Sequence, residues 1–463
     1  MDLDKKIELI KSVGEEIVSE EELKELLMKK KNPIAYDGFE PSGQIHIAQG
    51  LLRTITVNKL TSTGIKFKFY VADWFGMLNN KYGGNLEKIK IVGEYFIEVW
   101  KACGLDMKNV EFIWTSDFVK KHPEYWKTVL KLSMNTTVNR VLRCGQIMGR
   151  EESTNNPAAQ ILYPLMQAAD IYHLGADIAQ LGMDQRKVNM LARELFPKLG
   201  FKSPIVISHH MLMGLSEPKA DKILKNINVF LEDEYIIDDE TILRVTDKNP
   251  KKKFTKGMWE IIDPISSFGK KEIQNVVVNL EIIYQGKKYP LTIEETQAKA
   301  LHEANLAIQF DQAEDNLSFN FTIRKDYSSI DRKIEIKMSK SKPNTAIFMT
   351  DTEEDIKRKF KKAYCPEGKI EDNPILEYVK YIVFEKFESF VISRPEKFGG
   401  DVEFDSYKKL ENAYLKKEIH PMDLKDSCAK YINELLIPIR EHFENDKNAK
   451  KLLEKVKSFQ VSR

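Results

Sequence analysis

Two short stretches, far apart in the chain, carry residue types suited to polyphosphate chemistry. Residues 36 to 50 read Tyr-Asp-Gly-Phe-Glu-Pro-Ser-Gly-Gln-Ile-His-Ile-Ala-Gln-Gly, and residues 337 to 342 read Lys-Met-Ser-Lys-Ser-Lys. In the first, an apolar run (Ile34, Ala35) turns through Gly38, Pro41 and Gly43 and enters a helix through Leu51, Leu52, Ile55, Val57 and Leu60. A strand, a glycine-rich turn and a helix start present free backbone N–H groups and a positive dipole end, a good place for phosphate. His46 and Gln49, one helical turn apart, can reach the same ligand. In the second stretch three lysines alternate with two serines before Pro343, which suits a mobile loop bringing cations and hydroxyls to a polyphosphate. Each stretch alone also has a plain reading: a turn with a structural histidine, and a solvated basic loop.

A third constellation, Tyr163, Gln167 and Asp170, is spaced i, i+4, i+7 and so lies on one helix face. Its neighbours Leu162, Leu165, Met166, Ala168, Ala169 and Ile171 are apolar. A buried carboxylate without a partner is costly. The stripe is therefore either an internal hydrogen-bond network or a grip on a small polar ligand. Gly182-Met183-Asp184-Gln185 follows a short strand and precedes a helix, a turn composition that by itself says little.

The elements that must position these groups alternate in type. Phe67 to Ala72 reads as a strand ending at Asp73, Leu86 to Cys103 as a helix, and Val110 to Trp114 as a strand. Leu130 to Met148 and Ile161 to Leu174 read as helices, Asp177 to Leu181 as a strand, and Gln185 to Leu199 as a helix. Such alternation implies parallel βαβ units with ligands beyond the carboxyl ends of the strands. Residues 1 to 32 read as one or two amphipathic helices. The chain has 463 residues, 42% hydrophobic and 31% charged, with a net charge of +2; this describes an ordinary folded protein of two or three domains, whose nucleic-acid contacts must come from local patches. Four scattered cysteines, none in Cys-x-x-Cys spacing, argue against a zinc site or a disulfide framework and fit a reducing compartment. The amino terminus has no signal-peptide character and no apolar run is long enough to span a bilayer, so a cytoplasmic protein without a membrane partner is expected.

The two phosphate-suited stretches resemble the "HIGH" and "KMSKS" motifs of class I aminoacyl-tRNA synthetases. With the Phe39-Glu40-Pro41-Ser42-Gly43 run, the sequence resembles over most of its length the tyrosyl-tRNA synthetases of archaeal and eukaryotic type. The departure is His46-Ile47-Ala48-Gln49, where Ala replaces the motif's glycine and Gln its second histidine. The resemblance implies catalysis by His46, Gln49, Lys337 and Lys340. It implies ATP contacts from Gly43, His46, Gln49, Gly182, Asp184, Met338, Ser339, Lys340 and Ser341, and Mg²⁺ on the departing pyrophosphate without a metal held by the protein. Tyrosine would be held by Tyr36 and Asp170 at the phenol, by Tyr163 and Gln167 at the ammonium, and by Asp73 and Gln185. A tryptophan enzyme shares both ATP motifs but has no need of Asp170 facing a phenol. Arg140 and Arg143 would face the acceptor end of tRNA(Tyr). Phe398, in Arg394 to Gly400, and His420 and Asp423, in His420 to Lys425, would read the anticodon; by pattern alone Phe398 is core and Asp423 a helix-start residue. The implied enzyme activates L-tyrosine with ATP as a homodimer.

The expected fold is α/β: residues 1–216 form N-terminal helices and a Rossmann-like, doubly wound parallel sheet, 217–335 an inserted small α+β module, 336–350 the lysine loop, and 351–463 a helical anticodon-binding domain. Within the insertion, Asn275 to Tyr284 and Tyr289 to Ile293 read as a hairpin, Glu294 to Ile308 as a helix, Leu317 to Ile323 as a strand and Lys251 to Lys253 as solvated surface. Thr350 and Glu353 read as a capping box, followed by helices over Ile375 to Phe387, Ser406 to Leu415 and Met422 to Phe443.

Overall fold

The computed structural model describes residues 1–145, 157–218, 336–340 and 342–459, together with strands between 223 and 325. It divides into two compact units, Met1–Glu217 with Lys333–Arg463, and Pro218–Arg332. The first unit is built on a six-stranded sheet in the order β1-β6-β5-β2-β3-β4. These strands are β1 (Gly14–Val18), β2 (Ile34–Phe39), β3 (Lys66–Val71), β4 (Val110–Trp114), β5 (Ile178–Gly182) and β6 (Ile205–His209). All neighbours are parallel except β1, which runs antiparallel to β6. The chain winds outward from β2 through β3 and β4, then returns to β5 on the other side of β2. The β2–β5 pair is thus the switch point beyond whose carboxyl ends a ligand is accommodated.

The helices on this sheet are α1 (Leu3–Lys11), α2 (Glu20–Lys29), α3 (Arg53–Ser62), α4 (Asp73–Leu78), α5 (Leu86–Ala102), α6 (Thr115–Lys121), α7 (Tyr125–Met134), α8 (Val138–Gly145), α9 (Ala159–His173) and α10 (Arg186–Leu195). Side-chain caps fix several starts: Asp2 accepts from Lys5 N, Ser19 from Glu22 N and Asn85 from Lys88 N. The core under the first signature stretch is aromatic. Trp100 of α5 stacks on Phe69 at 4.6 Å and meets Phe39 edge-on at 4.9 Å, and its Nε1 donates to Gln49 O at 2.8 Å. A buried ion pair pins the switch point: Arg53 Nε lies 2.8 Å from Asp37 Oδ2, and Arg53 Nη2 donates to Gln180 O at 3.0 Å. Burial pushes the Asp37 carboxyl up to about 7 against the pull of Arg53, so for this pair the cost of burial exceeds what the guanidinium returns.

Several expected elements differ. The region 1–32 is not all helix, because Gly14–Val18 joins the sheet, with Arg186 clamping Glu16 in a bidentate pair at 2.6 and 2.9 Å. The expected helix Leu130 to Met148 is broken: α7 starts earlier and ends at Met134, and α8 restarts at Val138 with Thr137 Oγ1 accepting from Arg140 N; beyond 145 it lies outside the described residues. β6 had no forecast. In the C-terminal part, Thr352 rather than Thr350 caps the helix Glu353–Lys361, accepting from Asp355 N at 3.1 Å. The later helices are Pro374–Tyr378, continued through a wider π turn to 386, then Tyr407–Leu415, Pro421–Asn445 and Lys447–Ser458.

In the second unit, Val278–Tyr284 pairs with Lys287–Ile293 as the expected hairpin. Asn316–Lys325 lies between Ala304–Ala313 and Ile223–Val229 in an antiparallel sheet, and Tyr235–Ile236 pairs with Ile242–Leu243. The helix expected over Glu294 to Ile308 is therefore corrected from 304 onward, where alternation of apolar and polar residues (Leu306, Ile308, Phe310) follows strand period. Lys251 to Lys253 and 294–303 lie outside the described residues.

Candidate active site

Three parts of the chain meet at the carboxyl ends of β2 and β5. The first is the signature turn after β2. Gly43, at φ 59, donates its N–H to Tyr82 Oη at 2.5 Å, so that N–H has a protein partner. His46 is buried and its Nδ1 has no hydrogen-bond partner among the described residues; Gln49 Oε1 is in the same position. Burial, and then the charges of Lys340 and Lys337, hold the His46 imidazole well below its ordinary pKa, so it is neutral. Two unpaired buried polar atoms one helical turn apart form a site short of a ligand.

The second part is the lysine stretch, tied in at both ends. Met338 N donates to Leu212 O and Gly214 N to Ile336 O on one side. On the other, Ile47 N donates to Ile347 O at 2.9 Å and Met349 N to Ile45 O at 3.0 Å, so the segment just after the lysine stretch pairs directly with the first signature stretch. Gly50 permits this, since a Cβ there would run into the Met349 side chain. Lys337 Nζ pairs with Asp184 Oδ2 at 2.5 Å. Lys340 Nζ donates to Ser42 O at 2.5 Å and lies 4.4 Å from the centre of the Phe96 ring. Burial pulls the Lys340 ammonium down to about 7, opposed by Glu40 and abetted by Lys81. Met338 is buried, Ser339 stands half-exposed beside it, and Ser341 lies outside the described residues.

The third part is the α9 face. Gln167 Nε2 donates to Gln185 Oε1 at 3.3 Å, and Tyr163 Oη donates to Glu40 Oε2 at 3.5 Å while its ring meets Phe75 edge-on. Asp170 is buried, its Oδ1 accepting from Tyr70 Oη at 2.8 Å and from Tyr125 Oη at 2.7 Å. Burial raises its carboxyl to about 7, against those two donors. Tyr36 faces the same acid with its hydroxyl buried; the Gln167 side chain lies near enough to pull its titration down but closes no well-formed hydrogen bond with it. Asp73, at the end of β3, accepts from Trp74 N and Ser116 N through Oδ1, and its buried Oδ2 has no partner among the described residues. Gly182 sits where a Cβ would lie 2.6 Å from Asp184 Oδ1.

Three groups that matter here escaped the sequence reading. Tyr70 and Tyr125 grip Asp170 from β3 and α7; Tyr70, close to Asp73 at the carboxyl end of its strand, could have been found by placing strand ends, whereas Tyr125 had no signal. Glu40 bonds to Asn79 Nδ2 and Tyr163 and lies 3.6 Å from Lys81.

Arg140 and Arg143 lie on α8, which packs against α9, but neither reaches the cluster: Arg140 pairs with Glu194 and Arg143 is exposed. Phe398 is 61% exposed, which corrects its pattern-based reading as core, and it sits in a loop with Gly399 and Gly400 at positive φ. Arg394 Nη1 donates to Glu418 O at 3.0 Å, bringing that loop beside His420, which caps the helix Pro421–Asn445. Asp423 lies in the first turn of that helix.

Among the described residues no helix is long and apolar enough to cross a membrane, and no group of three or more His, Cys, Asp or Glu could hold a metal ion. The family model for tRNA synthetases class I (W and Y) matches residues 28–256 and 331–437. The chain is 38% identical over 464 residues to the tyrosine–tRNA ligase 1, cytoplasmic, of Arabidopsis thaliana, covering 100% of this chain and 90% of that protein. Its structure is similar to the tyrosyl-tRNA synthetase of Pyrococcus horikoshii complexed with L-tyrosine, with TM-score 0.70 and 30% identity over 99% of this chain and 100% of that one. It is equally similar to the Leishmania major tyrosyl-tRNA synthetase in complex with tyrosinol, TM-score 0.70 and 35% identity; this chain is covered to 99% and spans 61% of that longer one.

Proposed function

The chain belongs to the class I tRNA synthetases and its activity is the ligation of tyrosine to tRNA, and from that premise we propose how its residues divide the work. Tyrosine lies at the β2–β5 switch point. Its phenol meets Asp170 and Tyr36, its ammonium group meets Tyr163 and Gln167, and Gln185 and Asp73 complete the grip. The observation that carries this reading is the Tyr36 hydroxyl, buried beside a buried acid with no hydrogen bond of its own. A ligand phenol that accepts from Tyr36 and donates to Asp170 supplies what is missing.

The tyrosine carboxylate is ionised and needs no general base. It attacks the α-phosphate of ATP, forming tyrosyl-adenylate and releasing pyrophosphate with its Mg²⁺, which arrives with the nucleotide as substrate. The protein's part is positioning and charge stabilisation. Neutral His46, with Gln49, donates to phosphate oxygens; Lys337 and Lys340 turn from Asp184 and Ser42 to the phosphates; Ser339 and Ser341 add hydroxyls, with Met338 seated in the core as their anchor. Gly182 and Gly43 let the nucleotide approach the backbone, and Asp184, once released by Lys337, accepts from ribose hydroxyls. The terminal ribose hydroxyl of tRNA(Tyr) then attacks the adenylate carbonyl, with Arg140 and Arg143 toward the acceptor end. Exposed Phe398 stacks on an anticodon base, a contact worth about 1–3 kcal/mol, beside His420 and Asp423.

The working form is a homodimer of a cytoplasmic enzyme. Trp126, Leu130, Met134 and Val138 recur every four residues along α7 and α8 and all are exposed, an apolar stripe that a second copy would cover. The module 217–335 is an insertion ahead of the lysine loop. Pyrophosphate exchange run separately with tyrosine, tryptophan and phenylalanine tests the assignment: exchange with tyrosine alone is expected, and comparable exchange with tryptophan or phenylalanine overturns it.

A further inference from the structure

We propose that Tyr70 and Tyr125 are positioning residues for tyrosine selection: by both donating to Oδ1 of Asp170 they hold the acid so that Oδ2 is presented, ionised, to the phenol of the substrate. The inference rests on the reading of Asp170 as the phenol-recognising acid.

The geometry is asymmetric. Two phenols from different elements, Tyr70 on β3 and Tyr125 on α7, lie 2.8 and 2.7 Å from the same carboxylate oxygen. Tyr125 Oη is also 3.1 Å from Met166 O, a second acceptor for its single proton, and the shorter contact is the one to Asp170. No described residue donates to Oδ2. A carboxylate oxygen that accepts two short bonds is saturated, so an incoming hydroxyl must use the other oxygen. Tyr36, on β2, is the third phenol at the acid and the one left unpaired. The substrate would therefore add a fourth phenol, donating to Oδ2 and accepting from Tyr36.

Charge acts in the same direction. The titratable groups facing Asp170 are Tyr36 on β2, Tyr70 on β3, Tyr125 on α7 and Tyr163 on its own helix. The pulls toward its ionised form come from the two donors, Tyr125 first and then Tyr70. Burial has already lifted the carboxyl to about 7. An ionised Asp170 rejects phenylalanine, because an apolar ring would leave a buried charge short of a partner. A protonated Asp170 tolerates it far better. Each donated hydrogen bond thus holds selectivity in place at neutral pH, and deleting one moves the ionisation upward and the selectivity with it.

The test is pyrophosphate exchange with tyrosine and with phenylalanine, from about pH 6 to about pH 9, on the full-length wild type, Tyr70→Phe, Tyr125→Phe and Asp170→Asn. The expected wild-type discrimination climbs through about pH 7. Tyr70→Phe and Tyr125→Phe should each lower the ratio of kcat/KM values about tenfold at neutral pH, the loss shrinking in alkali as the midpoint moves up by about one unit. A merely structural role would lower both substrates alike and leave the midpoint unmoved. If both variants keep wild-type discrimination and profile while Asp170→Asn loses it, the two phenols are not positioning residues. If Asp170→Asn itself discriminates normally, the reading of the acid fails and the inference falls with it. Should Tyr125→Phe not fold, Tyr70→Phe decides alone, being on a separate element.

Discussion

The two ends of the site satisfy their polar groups in opposite ways. At the tyrosine end, the acceptor Asp170 is held by phenols from a strand and a helix of the core, and one hydroxyl, that of Tyr36, remains without a bond. At the nucleotide end the cations are already spent: Lys337 on Asp184, Lys340 on the carbonyl of Ser42. The first end is rigid and incomplete, so a ligand completes it. The second has its cations already paired while His46 Nδ1 and Gln49 Oε1 stand unpaired among the described residues, so ATP must exchange lysine partners with the chain itself. Selectivity is thereby placed on elements that cannot yield, and phosphate chemistry on a segment that must let go before it acts. The contrast also fits what each end does, since rejecting phenylalanine needs a fixed unmet demand, whereas moving phosphates needs cations that change allegiance.

The sharpest way to break this contrast is Asp170→Ala. Removing the acid strips the ligand's phenol of its acceptor and orphans the hydroxyls of Tyr70 and Tyr125. The ratio of kcat/KM for tyrosine over phenylalanine is expected to fall by on the order of 10²-fold, with some loss of thermal stability. Unchanged discrimination would refute the role assigned to the acid. Next in size, Lys340→Ala should slow adenylate formation by roughly 10²-fold while tyrosine affinity stays within about twofold, because its charge is felt in the transition state and not in the amino-acid pocket. Pre-steady-state kinetics that showed equal losses in both would erase the distinction between the two ends.

A third region sharpens the comparison by titrating in the opposite sense. His210, just after β6, lies 2.5 Å from Glu15 Oε1 and 3.2 Å from Glu377 Oε2, joining the edge of the sheet to the C-terminal helices. Burial opposes its charge, but the two carboxylates prevail and raise the imidazole to about 9. The folded pKa exceeds the unfolded value of about 6.5, so this stabilisation is fully present below about 6.5 and is lost as pH rises through about 9. On the order of 3 kcal/mol of unfolding free energy should disappear across that window, and His210→Gln should flatten the curve. Denaturant titrations at several pH values measure it. Selectivity, which we assign to Asp170, should meanwhile improve with pH through about 7, so the two profiles cross. Parallel profiles would mean that selectivity merely follows global stability.

How far the sequence could be read follows from the range of the forces involved. The alternation of β2, α3, β3, α5 and β4 is plain because each segment carries its own period, and it sets the Tyr36 to Gly50 turn beyond the strand ends; only the family resemblance brings the lysine stretch to the same place. The edge strand Gly14–Val18 was not, since Gly-Glu-Glu-Ile-Val has no strand pattern of its own and takes its form from β6 and from the clamp of Arg186 on Glu16. Residues 304–308, the end of the helix expected over Glu294 to Ile308, are strand, because their apolar content fits both periods until Asn316–Lys325 is laid beside them. At the site, Tyr163, Gln167 and Asp170 were visible as one helix face. Tyr125 has no such signal and Tyr70 only its place at a strand end, because two donors converging on one carboxylate oxygen from separate elements leave no spacing to detect. Phe398 shows the reverse: its pattern looks like core, and only the loop closed by Arg394 Nε on Gly400 O explains its exposure.

The smallest expected effect probes what holds the incomplete part of the nucleotide end in shape. The N–H of Gly43 is held by the hydroxyl of Tyr82, which reaches it only because Asn80 and Tyr82 both take left-handed backbone, at φ 54 and 53, followed by Gly83 and Gly84 at positive φ. Such conformations cost free energy of about 1–3 kcal/mol each and persist where the surroundings impose them. Here the surroundings include Phe459, whose ring meets Tyr82 edge-on at 5.6 Å after the helix Lys447–Ser458. Tyr82→Phe keeps that ring contact and deletes only the acceptor for Gly43. A loss of about 1 kcal/mol is expected, read as a roughly fivefold lower rate of adenylate formation with tyrosine KM unmoved. Phe459→Ala, which loosens the ring but keeps the hydroxyl, should give a weaker version of the same split. If either variant instead raised tyrosine KM, the turn would be serving the amino-acid end as well, and the division between a fixed end and an exchanging end would have to be redrawn through Gly43.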